Sequence, residues 1–319
     1  MGGDRLDYLL PSEVYDTHVH VFDSQLGPYD PARAYTPEEA PLRSLQGFSA
    51  GISSTGLPAN LVLVQPSPYG VDNRVLLAAL QKLHKDGSRN CRAIAVFDPE
   101  LISDAELGYM HELGVRGLRL NLQASGGEVN HDALINALEV AADRIKQMPG
   151  WKIQIYCPAQ TWDVIYDTII NLPVEVIADH FGGLKGSSKL NTITDNKTNE
   201  NTALEQLGFR SLLKLAEKSR IYIKLSGFYR ASNLSETGYS DLAPIVRTLV
   251  KRVSDRLVWA SDWPHTGEGK DRKPEDALNK TEPFRSIDNL LILKKLKEWV
   301  GNDEAWCKIM VSNPKALYA

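Results

Sequence analysis

Short apolar runs recur along this chain with helical patterns between them, and that alternation restricts the fold more than any other feature. The runs lie at residues 14–22, 60–65, 91–97, 115–122, 151–157, 174–180, 221–226 and 257–260. Each has strand length and falls short of an ordinary helix. Between them, Leu76, Leu77, Leu80 and Leu83 repeat at the helical period behind Asp72, which is placed to cap that helix. Further helices are read over residues 103–113, 132–148, 162–171, 209–219 and 242–253. Strands alternating with helices imply parallel pairing through βαβ units. Eight such units match an α/β chain folded as a single (β/α)8 TIM barrel, with its active site at the C-terminal ends of the strands. A doubly wound sheet is the competing architecture, but no Gly-x-Gly-x-x-Gly follows any of the runs. No repeat or linker divides the chain, so residues 1–319 are read as one domain with a polar loop insertion at 183–206. The Pro- and Tyr-rich stretch 23–41 is long for a connection and reads as a binding loop or lid.

Composition narrows the class of function. The 319 residues are 43% apolar and 24% charged, the balance of a globular protein. A net charge of -4, with no basic run, gives nucleic acid and anionic membranes little to hold. No stretch reaches the roughly 18 apolar residues of a membrane span, and the first residues do not read as a signal peptide. The scattered Cys91, Cys157 and Cys307 form no Cys-x-x-Cys and suit a reducing compartment. The expectation is a cytoplasmic enzyme acting on a small molecule; oligomeric state is not legible.

The first run carries two imidazoles, His18 and His20, at a spacing that points both to one face of a strand. Polar side chains on an apolar strand are expensive to bury unless their nitrogens are used. A bare His-x-His is more often a pair of satisfied core residues than a site. Taking the C-terminal ends of the other strands in turn changes the balance. They offer Gln65 and Ser67, Arg119 and Asn121, Tyr156, Asp179 and His180, Ser226 and Arg230, and Asp262 with His265. Three histidines and an aspartate at one end of one barrel make a catalytic reading stronger than any single motif could.

Three segments together resemble the amidohydrolase superfamily: Asp16-Thr17-His18-Val19-His20, Asp179-His180-Phe181-Gly182-Gly183 and Ser261-Asp262-Trp263-Pro264. The closing Asn313-Pro314-x-x-Leu317-Tyr318 is similar to that group as well. Within it, the chain most resembles the 2-pyrone-4,6-dicarboxylate lactonase-like branch, through Tyr35-Thr36-Pro37, Val64-Gln65-Pro66-Ser67 and the run from Gly114 to Asn121. The resemblance implies a hydrolase that opens a small, carboxylate-bearing lactone, with Asp262 activating water and His18, His20 and His180 polarising the carbonyl. It also implies that Arg119, Arg230, Tyr35, Ser67 and Tyr156 bind substrate. For both arginines a structural salt bridge is the equal alternative. Binuclear relatives use a strand-four lysine and a strand-five histidine, where this chain has Arg119 and Asn121, and Gln154 and Tyr156. A second metal is therefore not expected. Two cofactor states stay open: none required, which this reading favours, or one zinc or similar divalent ion on His18, His20, His180 and Asp262. A zinc-dependent decarboxylase of an aromatic or unsaturated acid is the alternative function. Residues 122–127 bring no further basic side chain, which favours a lactone less charged than the dicarboxylate.

Overall fold

All eight apolar runs become strands of one parallel sheet: β1 (Tyr15–Val19), β2 (Asn60–Val64), β3 (Arg92–Ala95), β4 (Val115–Asn121), β5 (Lys152–Tyr156), β6 (Val176–Ala178), β7 (Ile221–Leu225) and β8 (Leu257–Trp259). The computed structural model describes residues 9–88, 90–121, 130–190, 202–268 and 272–319. Neighbours in the sheet are neighbours in the chain, each pair parallel. Both faces of the sheet are covered, which is why the runs read as nearly continuous apolar stretches instead of alternating ones. Leu61 and Leu63 pack outward with the helices, whereas Val62 and Val64 join Ile94, Ile177, Tyr222 and Val258 inside the barrel.

The ring closes between β8 and β1, and it does so largely through the residues just past β8. Two backbone bonds cross there, from the His20 N–H to the Trp263 carbonyl (3.0 Å) and from the Asp262 N–H to the His18 carbonyl (3.1 Å). Two side chains add to them: the Thr17 hydroxyl donates to the Trp259 carbonyl (2.8 Å), and Asp16 Oδ1 accepts the Ser261 N–H (2.9 Å). The seam that completes the barrel thus also fixes the spacing of His18, His20 and Asp262.

The opposite end of the barrel is filled by the C-terminal helix Asn313–Leu317 and Tyr318, whose side chains join the interior cluster. Asn313 holds that helix in place by donating to the carbonyls of Ser254 (2.8 Å) and Leu257 (2.7 Å).

Helices occur where the pattern placed them, with local differences. The helix Arg74–Lys85 starts with Asn73 at its N-cap, and the Asn73 amide is turned to the carbonyls of Val71 and Val96. Asp72 still takes the Arg74 N–H (3.1 Å), one residue earlier than a conventional cap. The helix expected at 162–171 is broken at Ile165 into two short pieces. A helix not read from the sequence, Leu42–Ile52, contains Gly47 and Gly51 and buries only Leu45 and Ser49, too sparse a stripe to reveal its period. The loop 23–41 is tied down by a short parallel ribbon, Thr36–Pro37 against Thr281–Glu282. Of the expected insertion 183–206, residues 191–201 lie outside the described residues, as do residues 122–129. No helix among the described residues is long and apolar enough to cross a membrane.

Asn313→Ala would strand two carbonyls beneath the barrel. It is expected to lower unfolding free energy by about 1–3 kcal/mol, read from denaturant midpoints. An unchanged midpoint would contradict this account of the floor.

Candidate active site

His18 and His20 leave the end of β1 pointing into the barrel mouth, both buried. Their tautomers are assigned from their partners. His20 Nδ1 lies 2.7 Å from the Val64 carbonyl, an acceptor only, so Nδ1 carries the proton and Nε2 is bare. His18 Nδ1 lies 3.2 Å from Asp179 Oδ1 and 3.3 Å from Lys224 Nζ. Lys224 has closer oxygen acceptors in the Thr17 carbonyl and Gln154 Oε1, both at 2.8 Å. The His18 proton therefore sits on Nδ1 facing the carboxylate, and its Nε2 is bare as well. The two Nε2 atoms face each other at 3.3 Å.

His180 and Asp262 complete the cluster from β6 and β8. Asp262 Oδ1 is 3.8 Å from His18 Nε2 and 3.8 Å from His180 Nε2, and it is buried without a hydrogen-bond donor among the described residues. Its other oxygen is fully engaged: Oδ2 accepts from the Tyr229 hydroxyl (2.7 Å) and from Arg230 Nε (2.9 Å). His180 Nδ1 meets the Ser226 hydroxyl at 2.9 Å. The backbone at His180 has φ +51° and at Asp262 φ +63°, conformations that side-chain-bearing residues rarely adopt. Strain of this kind persists where surrounding structure enforces it, and it gathers at functional sites. Beside His180, Gly227 has φ +61°, and a Cβ there would lie 2.8 Å from His180 Nδ1.

Burial sets the protonation of the cluster. It pushes the His20 imidazole down to about 3 and the His180 imidazole down to about 4, and it holds His18 well below its usual value. Burial alone would raise the Asp262 carboxyl, but the charged surroundings, above all the Arg230 guanidinium on Oδ2, hold the group well below the carboxylate range. The result is a knot of two bare nitrogens, on His18 and His20, beside one ionised oxygen, with His180 Nε2 3.8 Å from that oxygen. His18, His20 and Asp262 place ligand atoms within 4.8 Å of one another, a spacing one ion can bridge.

Not every residue expected in the site joins this knot. Tyr156 does, its ring edge-on to His180 at a centroid distance of 4.7 Å. Arg119 stands beside it, donating to the Gln65 carbonyl (3.0 Å) and lying 3.6 Å from Asp179 Oδ2, with its buried Nε lacking a close acceptor among the described residues. Arg230 is committed to the protein itself: besides Asp262 it donates to Thr266 and to the Gly267 carbonyl. Tyr35 and Ser67 contact one another at the rim, and the Arg272 guanidinium stacks 3.6 Å over the Tyr35 ring. Trp263 stacks on Phe48 and His265 meets Asn289, so both back the site. Asn121 ends β4, and its side chain lies outside the described residues.

Three residues were missed. Lys224 sits wholly buried in the middle of β7, Gln154 donates to Asp179 Oδ2 (2.9 Å), and Tyr229 holds Asp262. Lys224 had a signal: a charge inside the apolar run Ile-Tyr-Ile-Lys-Leu is as anomalous as the two histidines of β1.

Known proteins resemble this chain over nearly its whole length. The family model described as Amidohydrolase matches residues 15–319. A 4-sulfomuconolactone hydrolase from Rhizobium radiobacter is 27% identical over 98% of this chain and 92% of its own length. A 2-pyrone-4,6-dicarboxylate hydrolase from Comamonas testosteroni is 29% identical, with the same coverage of 98% and 92%. Among solved structures, a candidate 2-pyrone-4,6-dicarboxylic acid hydrolase from Acinetobacter baumannii, with citric acid bound, superposes with a TM-score of 0.66 at 25% identity. That superposition covers 96% of this chain and 99% of the other.

Gly227→Ala is expected to destabilise the protein by about 1–3 kcal/mol through its positive φ and to push His180 off Ser226. Calorimetric melting would show the loss; a melting curve matching wild type would contradict the close approach at His180.

Proposed function

Because the chain belongs to the amidohydrolase family, we propose that it hydrolyses a small lactone bearing an anionic group, assisted by one divalent ion at the strand ends. The observation that carries the reading is the convergence of bare imidazole nitrogens on the unpaired Asp262 Oδ1. Lone pairs held face to face without a proton repel one another, and a cation between them relieves that. Of the two cofactor states the sequence left open, this donor set fits the single ion: three nitrogens and one carboxylate oxygen suit zinc. His18, His20 and His180 would hold it, with Asp262 Oδ1 beside them. When bound, such an ion polarises a carbonyl oxygen and acidifies water.

The remaining work falls to the chain's own side chains. With Oδ2 clamped by Tyr229 and Arg230, Oδ1 is the only Asp262 oxygen that can accept a proton from water. The water oxygen bonds to the lactone carbonyl carbon, the ring C–O bond breaks, and the leaving alkoxide takes the proton from Asp262. The product hydroxy acid then ionises, so each turnover releases one proton to solvent. Arg119 is the guanidinium best placed for a substrate anion, because its fork matches a carboxylate and its Nε still lacks a close acceptor. Arg230 has to give up protein acceptors to do the same. The names of the relatives, one a sulfomuconolactone hydrolase and one a pyrone dicarboxylate hydrolase, support a ring ester carrying negative charge. The Acinetobacter baumannii structure has citric acid, a carboxylate ligand, bound, in keeping with an anionic substrate.

A pH-indicator assay over lactones with zero to two anionic groups tests the reading. Acid release is expected from anionic lactones, lost on chelation and restored by zinc. Asp262→Asn is expected to lower kcat by about 10²–10⁴-fold, the usual worth of a positioned general base. Release that survives exhaustive chelation would remove the ion from the account. No release from any lactone, with carbon dioxide evolved from unsaturated acids, would replace hydrolysis by decarboxylation.

A further inference from the structure

Lys224 has no part in the chemistry above, yet it is fully buried at the heart of the site. A buried ammonium is costly unless each of its protons finds an acceptor. Here they do. Nζ donates to the Thr17 carbonyl and to Gln154 Oε1, both at 2.8 Å; its next neighbours are His18 Nδ1 at 3.3 Å, which carries its own proton, and Asp179 Oδ1 at 3.4 Å, the acceptor left for the third proton. These partners come from β1, β5 and the end of β6, so one side chain of β7 ties together the strands on which the cluster is built.

We propose that Lys224 is a positioning residue that anchors Asp179 and, through it, fixes the His18 tautomer that presents a bare Nε2 to the ion. Asp179 Oδ1 lies between the Lys224 ammonium and His18 Nδ1, while Oδ2 takes the Gln154 amide and lies 3.6 Å from Arg119 Nε. With Oδ1 between the ammonium and the imidazole and Oδ2 on the Gln154 amide, Asp179 is held facing His18. Without the ammonium, the carboxylate loses its closest cation and the imidazole loses its fixed orientation. Residues that orient metal-ligating histidines in this way are typically worth 10–100-fold in metal affinity.

This inference rests on the single-ion reading, and zinc titration of the metal-free protein separates the two. Wild type is expected to bind one zinc per chain; no binding would defeat the single-ion reading itself. Lys224→Met, which keeps the length but removes charge and donors, is expected to bind zinc 10–100-fold more weakly with its circular dichroism spectrum retained. In an Asp179→Asn background the same substitution is expected to have little further effect, because the lysine acts through that carboxylate. Wild-type affinity in a folded Lys224→Met protein, or full additivity with Asp179→Asn, would overturn the proposal. Should Lys224→Met not fold, long-range ¹H–¹⁵N spectra of metal-free wild type decide. A His18 signal protonated at Nδ1 upholds the proposal, and one protonated at Nε2 overturns it.

Discussion

Asp179 is the group on which the rest of the site depends. It is a buried carboxylate at the end of β6 with His18 from β1, Arg119 from β4, Gln154 from β5 and Lys224 from β7 around it. Burial alone would push its proton affinity up, but His18, Lys224 and Arg119 outweigh that and keep it ionised. An ionised carboxylate in a dry interior must be surrounded by donors. Satisfying it therefore dictates which polar residues four other strands carry on their inner faces, and it sets the tautomer of His18. The seam between β1 and β8 adds the second constraint, because the backbone bonds that close the barrel are made by His18, His20, Asp262 and Trp263 themselves. Fold and site share the same bonds, so neither can be altered alone.

Two carboxylates thus divide the labour by their surroundings. Asp179 is satisfied on both oxygens and serves as scaffold. Asp262 is satisfied on Oδ2 alone, and its Oδ1 stays bare among imidazole nitrogens. Tyr229 and Arg230 produce this asymmetry, and it makes Asp262 the carboxylate with something left to do. The left-handed backbone at Asp262 and His180 belongs to the same arrangement, since both residues must turn out of their strands at once to face the mouth. The cluster stays unprotonated across the neutral range because burial depresses all three imidazoles.

Much of this was legible in the sequence because buried parallel strands leave a simple trace. Short apolar runs at regular intervals located all eight strands, and the polar residues at their C-terminal ends located His18, His20, His180 and Asp262. The parts that were not legible depend on contacts between distant strands. Arg230 reads equally as a substrate ligand or a salt bridge until its Nε is seen on Asp262. Lys224 was hidden in mid-strand, where attention to strand ends passes over it. The helix Leu42–Ile52 buries too few apolar side chains to show its period, so only its packing reveals it. At the start of the helix Arg74–Lys85, Asp72 takes the Arg74 N–H while the Asn73 amide is turned to the Val71 and Val96 carbonyls, contacts the sequence does not display.

The central claim is that the converging lone pairs of this cluster exist to hold one cation. Anomalous diffraction at the zinc edge from zinc-soaked crystals tests it most directly. The account predicts a single peak per chain in the barrel mouth, held by His18, His20 and His180 with Asp262 beside it. No peak in the barrel mouth at saturating zinc, or a peak bound only by surface residues, would contradict it.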